Sequence, residues 1–353
     1  MKLQANDWVE VRSKEEILAT LDKNGRLEGL PFMPQMFNYC GQKFRVYKRA
    51  HKTCDTVSGN YVGRLLPNGI HLDLRCDGKA YGCCQAACLI FWKEAWLKQI
   101  VQDSIDSVKL QKTPETAPSR CTEADVLGAT QAPKQSSGEN IRYICQATEL
   151  LNYTQPLRWW DARQYVEDVT SGNVSPKRMV SVFSYFVCYY GTLANRRTLG
   201  RPSRWLHEVL RSLWGGAPLP RTPGKLPPGK NAPVLDLKLQ PGDLVRVKPF
   251  SEILETIGAA NTNRGLSFDA EMVPSCGKTY RVLTRIENFV DEKTGFMRQL
   301  KTPAVILDSV YCQSRYSDHR VFCPRSIYAW WREIWLERVP EDAVLDSQQQ
   351  LKK

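Results

Sequence analysis

Apolar and polar positions along the chain fall into a pattern that is written twice. The run Asn6-Asp7-Trp8-Val9-Glu10-Val11 alternates, and Gly242-Asp243-Leu244-Val245-Arg246-Val247 alternates in the same phase. Such a period of two marks a half-buried strand. Each run is followed by a short stretch with helical spacing, Glu15 to Leu21 and Ser251 to Ile257, and then by a second strand-like segment, Phe44 to Arg49 and Tyr280 to Ile286. Asp291-Glu292-Lys293-Thr294-Gly295 reads as a turn, and the continuous apolar run beginning Ala304-Val305-Ile306-Leu307 as a buried strand. Both regions close on a tryptophan-rich stretch, Phe91 to Leu97 and Trp330 to Leu336, whose spacing predicts a helix.

A constant offset of 236 superimposes Asp7/Asp243, Val9/Val245, Ile17/Ile253, Gly29/Gly265, Phe32/Phe268, Met36/Met272, Cys40/Cys276 and Gly41/Gly277 without a gap, and still holds at Cys76. The pattern predicts an α+β chain in which two homologous modules flank a helical middle. Each module is expected to be a small antiparallel β-barrel or roll, SH3-like in outline. The expected boundaries are 1–100 for the first module, 101–140 for a polar linker or loop, and 141–214 for the helical region. A Pro/Gly-rich spacer follows at 215–235, then the second module at 236–340 and a flexible tail at 341–353.

The chain has 353 residues, 24% of them charged, with a formal net charge of +12. That charge permits nucleic acid as a partner, but Lys and Arg are scattered rather than blocked together, so nucleic acid is not the favoured one. Asp7 falls where a signal peptide would need its apolar core, which predicts a cytoplasmic protein. The longest apolar run, Met179 to Ala194, contains Ser, Gly and Thr and falls short of the roughly 20 residues of a spanning helix. It reads as a buried helix, not a transmembrane segment. Its basic flanks leave contact with a membrane surface as a secondary option.

Twelve cysteines in a reducing compartment point to metal ligands or reactive thiols before disulfides. In the first module Cys76, Cys84 and Cys88 are spaced x7 and x3; in the second, Cys312, His319 and Cys323 are spaced x6 and x3. An x3 step brings two donors together from one turn, while the more distant one arrives from a neighbouring strand. Zinc takes four N or S donors and accepts imidazole in place of thiolate, so the Cys84/His319 exchange favours two zinc ions over iron–sulfur clusters, which remain the alternative. The expected ligands are Cys54, Cys76, Cys84 and Cys88 in one site and Cys276, Cys312, His319 and Cys323 in the other. Cys40 is the alternative fourth ligand in the first site, and Cys83 the alternative to Cys84. Cys121 and Cys145 either pair with each other or join the first site. A thiolate nucleophile at Cys54 with His51 nearby is the one catalytic arrangement on offer.

The segments GDLVRV, Gly265 to Met272, Cys276-Gly277, Asp291 to Gly295 and Phe322-Cys323-Pro324-Arg325 resemble a family of uncharacterised bacterial proteins with duplicated Cys-rich modules, often encoded among biosynthetic genes. The resemblance covers most of the chain, including Trp159-Trp160-Asp161, and implies that the position of His319 is often cysteine in relatives. It implies no activity. Together these features predict a metal-binding accessory or scaffold protein acting through a protein partner in a biosynthetic pathway. The competing expectation is a metalloenzyme with an iron–sulfur or open zinc site in the first module.

Overall fold

In the computed structural model, which describes residues 2–59, 62–100, 121–133, 141–194, 200–210 and 222–340, the alternating N-terminal run forms β1 (Trp8–Val11). Val9 and Val11 are fully buried. Helix α1 (Lys14–Thr20) follows under a capping box: Ser13 Oγ accepts the Glu16 amide at 3.2 Å, and the Glu16 carboxylate accepts the Ser13 amide at 2.9 Å. Two donors that a helix start leaves open are thereby satisfied.

The chain divides into two units. The first comprises Met1–Ser175 with Asn288–Arg298 and Asp318–Ser326; the second comprises Pro176–Glu287, Gln299–Ser317 and Ile327–Lys353.

After β1, the strands of the first unit are β2 (Arg26–Leu27), β3 (Leu30–Pro31), β4 (Lys43–Arg45), β5 (Lys48–Arg49), β6 (Lys52–Cys54), β7 (Gly63–Leu65), β8 (Gly69–His71), β9 (Trp92–Lys93), β10 (Leu97–Gln99) and β11 (Gln155–Leu157). They form three small sheets, β10-β1-β4, β11-β7-β6 and β5-β8-β9, and the β2–β3 hairpin, with every pairing antiparallel. Helices α2 (Glu123–Gly128) and α3 (Arg163–Thr170) complete the unit. Its core gathers Trp92, Trp96, Phe32, Ile17, Met36 and Leu30. Phe32 meets the Trp96 ring edge-on at 5.1 Å, and Trp96 Nε1 donates to Thr20 Oγ1 at 3.0 Å.

The second unit begins with α4 (Pro176–Ala194) and α5 (Gly200–Leu210). Then come β12 (Leu244–Val247), α6 (Phe250–Leu254), the short hairpin β13 (Thr262–Asn263) and β14 (Leu266–Ser267), the long β15 (Thr279–Val290) and β16 (Met297–Tyr311), of which residues 288–290 and 297–298 belong to the first unit, and finally β17 (Tyr328–Arg332) and β18 (Leu336–Arg338). One antiparallel sheet runs β17-β16-β15-β12-β18. In its core Phe268 meets Trp335 edge-on at 5.3 Å, and Trp335 Nε1 donates to Thr256 Oγ1 at 2.9 Å.

The architecture is α+β as expected, but among the described residues the sheets are several and small, and no barrel closes. The tryptophan-rich stretches are not helices. Each is a strand, one 3-10 turn and a second strand: Trp92–Lys93, Glu94–Trp96 and Leu97–Gln99 in the first unit, and Tyr328–Arg332, Glu333–Trp335 and Leu336–Arg338 in the second. Trp92 pairs with Ile70, Leu97 with Val11, Trp331 with Val305 and Leu336 with Val247. Sheet pairing thus takes the backbone groups that a helix would have bonded internally. The helix placed near Trp159 begins later, at Arg163, because Pro156 lies in β11, where it pairs with Arg64 of β7. Helix α2 falls inside the expected linker, of which 101–120 and 134–140 lie outside the described residues, as does the expected tail 341–353.

Candidate functional site

The three cysteines of the first predicted triplet lie on one loop of the first unit, and its ends are tied. Cys76 N donates to Cys88 O at 2.8 Å, Ile90 N donates to Leu74 O at 2.9 Å, and Arg75 bridges to Leu89. Inside this neck the chain makes a 3-10 turn, Lys79–Tyr81, between Gly78 and Gly82, both with left-handed φ. A Cβ on Gly78 would stand 1.9 Å from the Cys84 carbonyl oxygen, so glycine is the residue this turn can use. Cys83 and Ala87 also take positive φ, at 59° and 48°. The loop is fastened outside as well: Gln35 accepts from Asp77 N at 2.9 Å and donates to Arg75 O at 3.0 Å, while Gln85 and Asn288 exchange two hydrogen bonds at 2.8 and 3.0 Å. The amide of Val290 donates to Cys84 Sγ at 3.3 Å.

Cys76, Cys84 and Cys88 line a cavity of about 40 Å³ together with a fourth thiol, Cys145. Cys145 is positioned by its neighbour. The Gln146 amide group accepts from Phe91 N at 2.8 Å and donates to Phe91 O at 2.9 Å and Pro31 O at 3.0 Å, locking this segment against the strand that follows the loop. Burial pushes the Cys76 thiol up to about 12, the Cys145 thiol up to about 11 and the Cys88 thiol well above its ordinary value. Near neutral pH these three are therefore protonated in the absence of a ligand, and a metal would have to displace the protons. Glu292 and Arg325 also line the cavity. Arg325, only 2% exposed, donates to Glu292 Oε1 at 2.9 Å and to Thr56 Oγ1 at 2.7 Å, and Thr56 bonds the other Glu292 oxygen.

Cys54, expected as the fourth ligand, does not line this cavity; it is buried beside Cys323. A hydrogen bond with Cys323 holds the Cys54 thiol down to about 6, with the charges of Arg325 and Arg320 acting in the same direction. Cys323 and His319 belong to the first unit, Cys276 and Cys312 to the second. His319 stacks on Trp159 at 5.6 Å and lies 3.7 Å from the Asp318 carboxylate. Cys312 Sγ lies 3.5 Å from Ser314 Oγ. Cys276 packs half-buried against the second core, which pushes its thiol up to about 12. Cys121 is buried in the first core, its Sγ 3.6 Å from Thr122 O. Among the described residues the cysteines form no disulfide, and no three His, Cys, Asp or Glu side chains are grouped as donors to a single ion.

A second buried polar group lies on β6 and α3. Lys52 Nζ donates to Asp168 Oδ2 at 2.5 Å and to Gln164 Oε1 at 3.2 Å, and stands over the Tyr165 ring at 5.0 Å. His51 Nε2 is 3.3 Å from Asp168 Oδ1. Burial raises Asp168 to about 7 against the pull of Lys52, and burial together with the Lys52 charge lowers His51 to about 4. Nothing in the sequence marks this group, because Lys52 and Asp168 come from segments far apart in the chain.

Neither a protein-family model nor a curated protein matches this sequence.

Proposed function

We propose that the chain is a metal-binding accessory protein, built from two copies of one module, whose first unit is stapled by a metal group at thiols of the cavity and which acts by docking a protein partner in a bacterial biosynthetic pathway. The observation that carries the metal reading is the convergence of Cys76, Cys84 and Cys88, three residues singled out by spacing alone, on one cavity. A bound metal would contribute folding free energy to a loop that has few apolar residues of its own.

The copy relation is supported by equivalent pairings. Val9 faces Phe44 across β1 and β4 as Val245 faces Tyr280 across β12 and β15. The Trp–Phe and Trp–Thr contacts of one core also recur in the other at positions related by the offset or close to it. Docking is supported by the apolar residues that stand in solvent: Val180 and Val187 on α4 and Trp205 and Val209 on α5 are 58–73% exposed. No helix among the described residues is long and apolar enough to cross a membrane. Redox chemistry is the second reading, favoured by Cys54 and Cys323, two buried thiols in contact.

The test is elemental analysis of the full chain purified without oxygen. Metal in stoichiometric amount, lost in a Cys76→Ser/Cys88→Ser variant, is the expected result. A folded chain that carries no metal and takes up neither zinc nor iron would refute the proposal.

A further inference from the structure

Resting on the metal-binding reading above, we infer that the cavity takes an iron–sulfur cluster held by four thiolates, Cys76, Cys84, Cys88 and Cys145. The first three arrive from one tied loop. The fourth comes from a segment that Gln146 bonds to Phe91 and Pro31, so all four donors are anchored before any ligand arrives.

Three features separate a cluster from a lone zinc ion. The donor set is all sulfur: no histidine lines the cavity, so the Cys/His exchange that favoured zinc does not bear on it. The space is too large for one ion. Zinc sits about 2.3 Å from each of its sulfurs and leaves no room among them. A cavity of about 40 Å³, by contrast, exceeds the roughly 10–15 Å³ that one water needs, and so has room for several iron and sulfide atoms. The surroundings suit an anionic cluster. Tyr81, Phe91, Met33 and Val290 exclude water, the Val290 amide already donates to Cys84 Sγ at 3.3 Å, and the buried Arg325 supplies positive charge beside Glu292. On loading, each of the four thiols gives up its proton to solvent and its sulfur bonds iron; two ferrous ions, two ferric ions and four sulfides supply the cluster core, so no iron changes oxidation state.

The experiment is anaerobic reconstitution of the full reduced chain with equal amounts of ferrous and ferric iron and with sulfide, read as bound iron, acid-labile sulfide and absorbance. The expected result is iron and sulfide in equal amounts in the wild type and in Cys54→Ser, and a loss of at least twofold in Cys145→Ser and in Cys84→Ser. Full loading of Cys145→Ser with loss in Cys54→Ser would overturn the assignment of ligands. Zinc uptake with no sulfide retained would overturn the cluster. Both of those outcomes leave the metal reading standing, whereas a wild type that binds neither metal ends both. Should Cys145→Ser not fold, alkylation of the loaded wild type decides: Cys145 protected together with Cys76, Cys84 and Cys88 supports the assignment, and Cys145 alkylated overturns it.

Discussion

Replacing Asp168 with Asn should destabilise the first unit by about 3–5 kcal/mol, as expected for breaking a buried ion pair. Asp168 is fully buried and Lys52 is 2% exposed, and the ammonium meets the carboxylate, Gln164 Oε1 and the faces of the Tyr165 and Phe322 rings. Removing one member of a buried pair leaves the other charge without water or counter-charge, at a cost of about 3–5 kcal/mol. Spread over a unit of this size, that loss corresponds to a fall in melting temperature of roughly 6–20 °C. The assay is urea unfolding followed by tryptophan fluorescence at pH 8, above the value of about 7 to which burial raises Asp168, so that the carboxylate is charged. At pH 6 the wild-type carboxyl holds a proton and resembles the amide, so the difference between the two proteins should shrink. In a cycle with the Lys52→Met and Asp168→Leu single variants, the Lys52→Met/Asp168→Leu double variant should recover most of the loss, giving a coupling energy of about 2 kcal/mol or more. A single-variant cost under about 1 kcal/mol, or a double variant that loses the sum of the two singles, would show that the pair is not the buried, mutually dependent unit described here.

His71 is fully buried with its Nδ1 2.8 Å from Ile90 O, and burial depresses it to about 3. Its neutral form is the folded one, so its contribution to stability is complete above about pH 6.5 and is lost as pH falls toward 3. Between pH 6.5 and 5 the loss amounts to about 2 kcal/mol. In His71→Asn, denaturation curves at these two pH values should differ by about that much less than in the wild type, and an unchanged difference would contradict the assignment. Gly78→Ala should cost about 1–3 kcal/mol and disturb the thiol loop, because the new methyl meets the Cys84 carbonyl. Gly41→Ala, at a φ of 73° with open space around it, should cost only the strain of that conformation, about 1 kcal/mol. Equal losses in the two variants would count against the clash.

Much of the fold is legible in local sequence. The alternation of Trp8–Val11 and Leu244–Val247, the turn at Asp291 to Gly295 and the run through Ala304 to Leu307 each carry their own period or turn chemistry, and each forms the element it predicts. Trp92 and Trp96 misled because a spacing of four satisfies a helix as well as a strand with a 3-10 turn between its halves. The choice was made by Ile70 and Val11 across the sheets. The barrel failed for a related reason: two- and three-residue strands give no local sign of which edges remain unpaired. At the cavity, Cys76, Cys84 and Cys88 were legible because their spacing is short. Cys145 was legible only as one of two options, paired with Cys121 or joined to the first site, since its place depends on how Gln146 bonds Phe91 and Pro31. Cys54 sits with Cys323, a partner that a repeat-by-repeat comparison assigns to the other copy.

The first unit takes in two late pieces of chain, Asn288–Arg298 and Asp318–Ser326. A ribosome working from the N-terminus releases Thr56 and the cysteine loop long before Glu292 and Arg325 exist to meet them. Until Ser326 has emerged, the nascent polypeptide has Cys54 without its neighbour and Cys84 without the Val290 amide. Completion of this half therefore waits for Ser326, and a fragment cut after Ser175 would carry every sulfur of the cavity yet lack the salt link that borders it.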